Sequence, residues 1–446
     1  MRRGESQARL DPQYQELERR KRAHYAKPLF PLTKIGALAT FVQYGISERA
    51  NTAGIGVPII RMNNLQANGW DFSDIKHIEL GETELDRYRL LKGDLLFNRT
   101  NSKELVGKCE AFEEDGDWVF ASYLIRVRVD AQRVLPQFVS TFLNCPAGRI
   151  QIDQVSRQIA GMTNVNAEEL RLLEVPLPPI AVQSRLMAEL DAARAERDRA
   201  LTEADRLLGS VDELVKAVLG LPDVPVVNKP GYAIRLGEAK RSATISADYF
   251  HPERMLALES IQVLRNAPLG RLVSFERSVI ASPGDARYIG LASVTSHTGQ
   301  LAGAVETASG QCFAFQNDDV LYGRLRPYLN KVWRATFGGV CSTEFHVMRV
   351  RDRGTLLPAY LAVVMRTQLI VAQTRHMMTG NTHPRLANED VGNLLIPLAD
   401  IASQQRIVAE TAARQAEAGR LRVHADSVWQ QARERFKQQL LKGASA

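Results

Sequence analysis

Cysteine is scarce in this chain. Of 446 residues only Cys109, Cys145, Cys312 and Cys341 carry a thiol, with no Cys-x-x-Cys pair and no histidine cluster at ligand spacing. A zinc site or a disulfide framework is therefore not expected, and a reducing compartment fits. No apolar run reaches the roughly 18 residues that a membrane-spanning helix needs, so no membrane segment is expected. Arg2 and Arg3 lack the apolar stretch of a signal peptide behind them, and a cytoplasmic location is expected. Catalytic signatures are missing as well. There is no Gly-x-x-x-x-Gly-Lys-Ser/Thr loop, no Gly-x-Ser-x-Gly elbow, no Asn/Asp-Pro-Pro-Tyr/Phe and no paired carboxylates that stand out. Gly54-Ile55-Gly56 is too short to signal a cofactor turn. These absences favour binding over catalysis.

What is present has ordinary globular composition, 45% hydrophobic and 24% charged, with a net charge of +7. That excess is compatible with a polyanionic partner without requiring one.

The chain repeats itself. Leu91-Lys-Gly-Asp-Leu-Leu-Phe-Asn-Arg99, Ala121 to Val129, Gly161 to Asn164, Val175-Pro-Leu-Pro178 and Gln183-x-Arg185 run in order through the first half. Asn317 to Arg324, Ser342 to Val350, Gly380 to His383, Ile396-Pro-Leu-Ala399 and Gln404-x-Arg406 answer them in the second, 225 residues on for the first block, 219 for the Gly380 block and 221 for the others. The reading is of a mixed α and β fold: two similar globular domains separated by two long helices. Residues 1–30 form a charged arm centred on Arg19 to Arg22. The first domain spans 31–178, the central helix 179–220, a linker with the second domain 221–398, and the C-terminal helix 399–446. Strands are expected at 57–62, 94–97, 119–129, 288–291, 319–322 and 345–350. Helices are expected at about 136–156 and 356–375, and as single rods over 180–219 and 400–442. Apolar or small residues at 186, 190, 193, 200, 204, 207, 211, 214 and 218 follow three-four spacing, interrupted by Arg197. So narrow a seam with charged flanks predicts a coiled coil. The simplest pairing is antiparallel and pseudo-two-fold, with each rod about 60 Å long.

Candidate contacts cluster in loops after strands. In the first copy these are Arg61, Asn63, Asn64, Asn98, Arg99, Asn101, Lys103, Thr163 and Asn164. In the second they are Arg324, Arg326, Lys331, His383 and Arg385. Arginine and lysine neutralise phosphate, arginine also forks onto guanine O6/N7, and asparagine matches adenine N6/N7. The plainer alternative is that strand ends and turns are rich in such residues anyway. His346, between Phe345 and Val347, is read as structural.

In order, twice, each set before a long helix, these motifs resemble the specificity subunit of type I DNA restriction–modification systems. The likeness covers about residues 31 to 442. Its carriers include Leu90 to Thr100, Gly161 to Asn166, Val175 to Pro179 into Gln183-x-Arg185, Asp318 to Arg324, Thr382 to Leu386, and Ile396 to Leu398 into Gln404-x-Arg406. The resemblance implies two target-recognition domains, each reading one half of a split, asymmetric site in double-stranded DNA, with the helices as spacer. It implies no catalysis and no cofactor in this chain. Two methyltransferase subunits would bring S-adenosylmethionine, and restriction subunits would bring ATP and Mg. Two departures stand out: Ala399-Asp400 replaces the usual second proline, and Arg197 sits in the seam. Residues 1–30 lie outside the repeat, and a methyltransferase contact is expected for them. An orphan DNA-binding protein of the same shape, a coiled-coil scaffold without nucleic acid, and an enzyme with a split site remain open as alternatives.

Overall fold

The computed structural model describes residues 12–25, 27–66, 69–103, 105–159, 162–221, 232–234, 237, 248–281, 284–302, 306–308, 310–375 and 385–441. Chain contacts divide it into two compact units, 1–199 with 424–446 and 200–423. Each unit therefore takes part of both long helices.

In the first unit a four-stranded sheet has the order Ala39–Tyr44, Leu124–Val129, Leu95–Asn98, Cys109–Ala111. The second unit has Val273–Glu276, Phe345–Val350, Val320–Gly323, Val332–Arg334 in the same order. The register is also the same. Leu96 faces Arg126 in one and Leu321 faces Val347 in the other. A short parallel pair repeats too, Val119 against Ile59 and Val340 against Tyr288. So does an antiparallel pair, Thr33 against Val175 and Ala267 against Ile396. The duplication legible in the sequence is thus a duplication of strand order and register.

Both faces of the main sheet are covered, which suits the near-continuous apolar strands. In the first unit Phe97, Ile125, Val127, Phe138 and Phe142 form a core with Leu186, Leu190 and Phe436 of the long helices. In the second, Val320, Tyr322, Met348, Tyr360 and Leu361 do so with Val215 and Ile407. The helices are packed as antiparallel neighbours within each unit. Glu189 meets Gln439 and Glu196 meets His424 in the first, while Asp205 meets Arg422 and Ser210 meets Arg414 in the second.

Each long helix is anchored at its start by a fully buried glutamine. Gln183 accepts from Leu135 N (2.8 Å) and donates to the carbonyls of Arg133 (3.1 Å) and Pro178 (2.8 Å). Gln404 accepts from Leu357 N (2.9 Å) and donates to the carbonyls of Thr355 and Ala399 (2.9 Å each). Asp400, standing where proline was expected, caps its helix: Oδ1 accepts from Ser403 N at 2.9 Å and Oδ2 from its hydroxyl at 2.9 Å. These bonds hold its carboxyl below the usual carboxylate range.

Several expected elements are divided. Residues 119–129 are two strands, Val119–Phe120 and Leu124–Val129, in different sheets. The 136–156 helix breaks at Cys145, which is extended because Pro146 disfavours helix before it and opens the next one. The 356–375 helix becomes Pro358–Val364 and Gln368–Arg375, the second started by Asp212, which accepts from Gln368 N at 2.7 Å. The first rod is Ile180–Gly209 and Val211–Leu219, interrupted at Ser210 and closed by left-handed Gly220. The second is continuous over Ile401–Leu440. Arg197 keeps its seam position by stacking: its guanidinium lies 5.1 Å from the Trp429 ring centre and pairs with Asp198 at 2.7 Å.

Replacing either anchoring amide by an isostere without polar atoms leaves an amide N–H and two carbonyls unpaired, each costing about 1–3 kcal/mol. Gln183→Leu or Gln404→Leu should therefore lower stability by at least about 3 kcal/mol, seen as a lower urea midpoint. An unchanged midpoint would show that water replaces the amide there.

Candidate nucleic-acid interface

The loops singled out in the sequence do converge. In the first unit Thr100–Asn101 pairs antiparallel with Met162–Asn164, Thr163 opposite Asn101 and Asn164 opposite Thr100. Asn101 Nδ2 lies 3.7 Å from Met62 Sδ, which brings in the Met62–Asn64 turn. The second unit repeats the closure with a bridge between Leu325 and Arg385.

The residues differ sharply in what is left to offer. Asn64 is buried, its Oδ1 accepting from Arg61 N (2.9 Å) and its Nδ2 donating to the carbonyls of Asp71 and Asp74. Asn98 is fully buried, its amide donating to Leu105 O. Thr163 is buried, and Asn164 Oδ1 accepts from Thr100 Oγ1 at 2.5 Å. Arg61 pairs with Asp74 at 2.8 Å. These five hold the loops. Asn63 and Lys103 are exposed, and Asn101 is half-buried.

In the second unit Lys331 donates to Leu291 O at 2.7 Å and Arg385 grips Glu344 with two bonds of 2.8 and 3.1 Å. Arg334 pairs with Asp318 and Arg375 with Glu253. Arg326 is exposed, in a left-handed conformation (φ 49°) that is rare outside glycine and aspartate-like residues. His383 lies outside the described residues.

Arg99 and Arg324 stand out because the two copies place them identically. Each directly follows the strand beside the long central one. Arg99 N donates to Tyr123 O (3.0 Å) and its carbonyl accepts from Val165 N (2.9 Å). Arg324 N donates to Glu344 O (2.9 Å) and its carbonyl accepts from Leu386 N (3.2 Å). In both, the guanidinium Nε is out of water without a hydrogen-bond partner. Arg99 is held over the Tyr44 ring at 4.9 Å, and Tyr44 Oη accepts from Ala167 N. Tyr44 and Tyr123, 40% and 49% exposed, flank it. Composition gave no reason to single out these tyrosines; only the fold puts them there.

His346 is buried and stacks with Tyr322. Burial first, then the nearby Arg324, holds its imidazole down to about 4. It is therefore neutral near pH 7, in keeping with a structural role.

Among the described residues no group of three or more His, Cys, Asp or Glu could hold a metal, and no helix is long and apolar enough to cross a membrane. The class defined by fold and site is a duplicated α and β protein with a paired-helix element, presenting one arginine-bearing loop cluster per copy. No protein-family model matches the chain. The type I restriction enzyme EcoKI specificity subunit of Escherichia coli K12 is 28% identical over 166 residues, 36% of each chain. The StySPI specificity subunit of Salmonella potsdam is 25% identical over 161 residues, 36% of this chain and 35% of that one. The matched stretches thus span about a third of these curated relatives. A solved structure described as the basis of complex assembly and conformational transition in the type I R-M system aligns over 93% of this chain and 97% of that one. Its TM-score is 0.50 with 14% identity, a likeness of fold.

Because the unfolded His346 titrates near 6.5 and the folded one near 4, the unfolded state takes up the proton first as pH falls. Its contribution is full above about 6.5 and is lost toward 4, on the order of 2–3 kcal/mol. His346→Leu should flatten the fall of thermal midpoint across that window. An equally steep fall would assign the acid sensitivity to other groups.

Proposed function

We propose that this chain is the DNA-recognition subunit of a type I restriction–modification complex. Each unit reads one half of a split site in double-stranded DNA, and the paired helices set the gap. The observation that carries the reading is the equivalent placement of Arg99 and Arg324. Each is fixed by the same two backbone hydrogen bonds and is only half-buried, and the terminal N–H groups of such a guanidinium suit a fork onto guanine O6/N7 or a phosphate. Asn63, Asn101 and Lys103 in the first unit, and Arg326 in the second, are the accessible neighbours that would add base-edge or phosphate contacts. Asn64, Asn98, Thr163 and Asn164 would act by shaping the loops. The chain would work in the cytoplasm without catalysis or cofactor of its own. Two methyltransferase subunits would supply S-adenosylmethionine chemistry, and restriction subunits the ATP- and Mg-dependent steps.

Long-read methylation mapping of the host, with and without this gene, tests the reading. A split motif methylated in the wild type and bare in the deletion supports it, whereas identical methylation counts against it. Within that motif, Arg324→Ala should relax or weaken the half read by the second unit and leave the other intact, and Arg99→Ala should do the converse. A bidentate base contact is worth about 1–3 kcal/mol, roughly ten- to hundredfold in affinity. If each variant affected both halves equally, the assignment of one half to each unit would be wrong.

A further inference from the structure

The N-terminal helix Pro12–His24 is not a free arm. It lies along helix Pro146–Val155 in its own unit. Gln154 Nε2 donates to Glu18 at 2.9 Å, Tyr25 Oη donates to Ala147 O at 3.0 Å, and Gln151 Nε2 donates to Tyr25 Oη at 2.5 Å. Beyond it, Leu29 N donates to Leu440 O at 3.0 Å. The same helix 146–155 also supports the recognition loop. Arg149 donates to Val106 O and, at 3.5 Å, to Lys103 O. One short helix therefore holds the arm on one side and the 98–106 loop on the other.

This arrangement gathers cations. The charges of Arg149, Lys103 of the loop and Arg20 of the arm all act on the half-buried Asp153 and oppose the rise that burial gives its carboxyl. Lys108 adds a fourth cation beside Arg149. Of the arm's own acids, Glu16 is paired with Arg19, while Glu18 bonds the neutral amide of Gln154 and keeps its charge. Arg20, Arg22 and Lys103 remain exposed. The ridge is thus net positive, and it continues directly from a loop assigned to DNA.

We propose that helix 12–24, through Arg20, extends the DNA interface of the first unit as a contact to the phosphate backbone, flanking the half-site without reading it. The inference rests on the proposed function. It replaces the expectation that residues 1–30 form a methyltransferase contact. Four cations, Arg20, Lys103, Lys108 and Arg149, against two acids, Glu18 and Asp153, complement a polyphosphate chain. Arg20 is exposed and belongs to an ordered helix, so it is presented at little entropic cost.

The test uses the full chain assembled with its methyltransferase subunits. Duplexes bearing the mapped motif or a scrambled one of equal length are titrated from 50 to 200 mM salt. Arg20→Ala should weaken binding two- to tenfold at the low-salt end, equally on both duplexes. It should reduce the slope of log affinity against log salt by about 0.9, the value for one phosphate contact. Arg20→Lys should restore both, and the methylated motif should be unchanged. Unaltered affinity and slope would overturn this inference and leave the proposed function standing. Loss confined to the motif duplex would make the arm a base reader and overturn it too. Reduced methyltransferase assembly with unchanged DNA binding would return the arm to a protein partner. Failure of the wild-type complex to bind either duplex would remove the proposed function itself.

Discussion

A buried carboxylate at the head of one strand governs where everything after it falls. Asp94 and Asp319 are 0% and 1% exposed. Asp94 takes two bonds from Arg128 at 2.7 and 2.9 Å and one from Leu91 N at 2.9 Å. Asp319 takes two from Arg349 at 2.8 Å and one from Gln316 N at 2.7 Å. Each pair closes the turn before a strand and locks that strand to its neighbour in a single register. A slip of one residue would strand a charge in the core, at a cost of about 3–5 kcal/mol, and turn every side chain to the wrong face. Five residues later in both copies, the end of the same strand delivers Arg99 or Arg324. The equivalent placement of these two arginines is a consequence of the carboxylate at the strand's start.

The duplication was legible because it lies in residues whose roles are geometric. Asp94 and Asp319, Gln183 and Gln404 all fall inside the repeated motifs. They recur because each is buried with no spare bond, so substitution would leave partners unsatisfied. The strand cores and the rods were legible for the same reason, since apolar periodicity records burial. The divisions within elements were less so. A local signal, Pro146, marks one break, but the others depend on partners distant in the chain: Asp212 for the helix at 368, Arg414 beside Ser210. Nothing near those positions announces them.

Within the candidate site, residue type was a poor guide to availability. Asparagine appeared as a base reader, yet Asn64 and Asn98 are folded into the loops they belong to. The arginine-rich character of the second copy is likewise largely internal, because Arg334, Arg375 and Arg385 meet Asp318, Glu253 and Glu344. Polar loops must satisfy their own backbone before they can contact anything else. Sequence counts the donors, and only the fold separates those already committed. The arm, expected as a helix or partly ordered, is ordered as a helix over Pro12–His24. Glu16 and Glu18 dilute its basic cluster in sequence, and in space Glu16 pairs with Arg19 while Glu18 takes a bond from Gln154.

The two copies show how a fixed frame can carry different loops. Where the frame is concerned they agree to the residue, in register, in the aspartate–arginine pair and in the glutamine anchor. At the loops they diverge. Tyr44 supports Arg99 in the first copy, whereas Arg324 lines a small cavity with Arg277 and His346 in the second. Because the frame is held by buried bonds that do not involve the loop surface, changes at the surface need not disturb folding. The loop surface of either half can then change by substitution at a few exposed positions, while strand register keeps the replaced side chains at the same address. That separation, with stability in the strand heads and helix starts and variation in the loops after them, is what a protein needs if its two halves are to recognise different sequences on one scaffold.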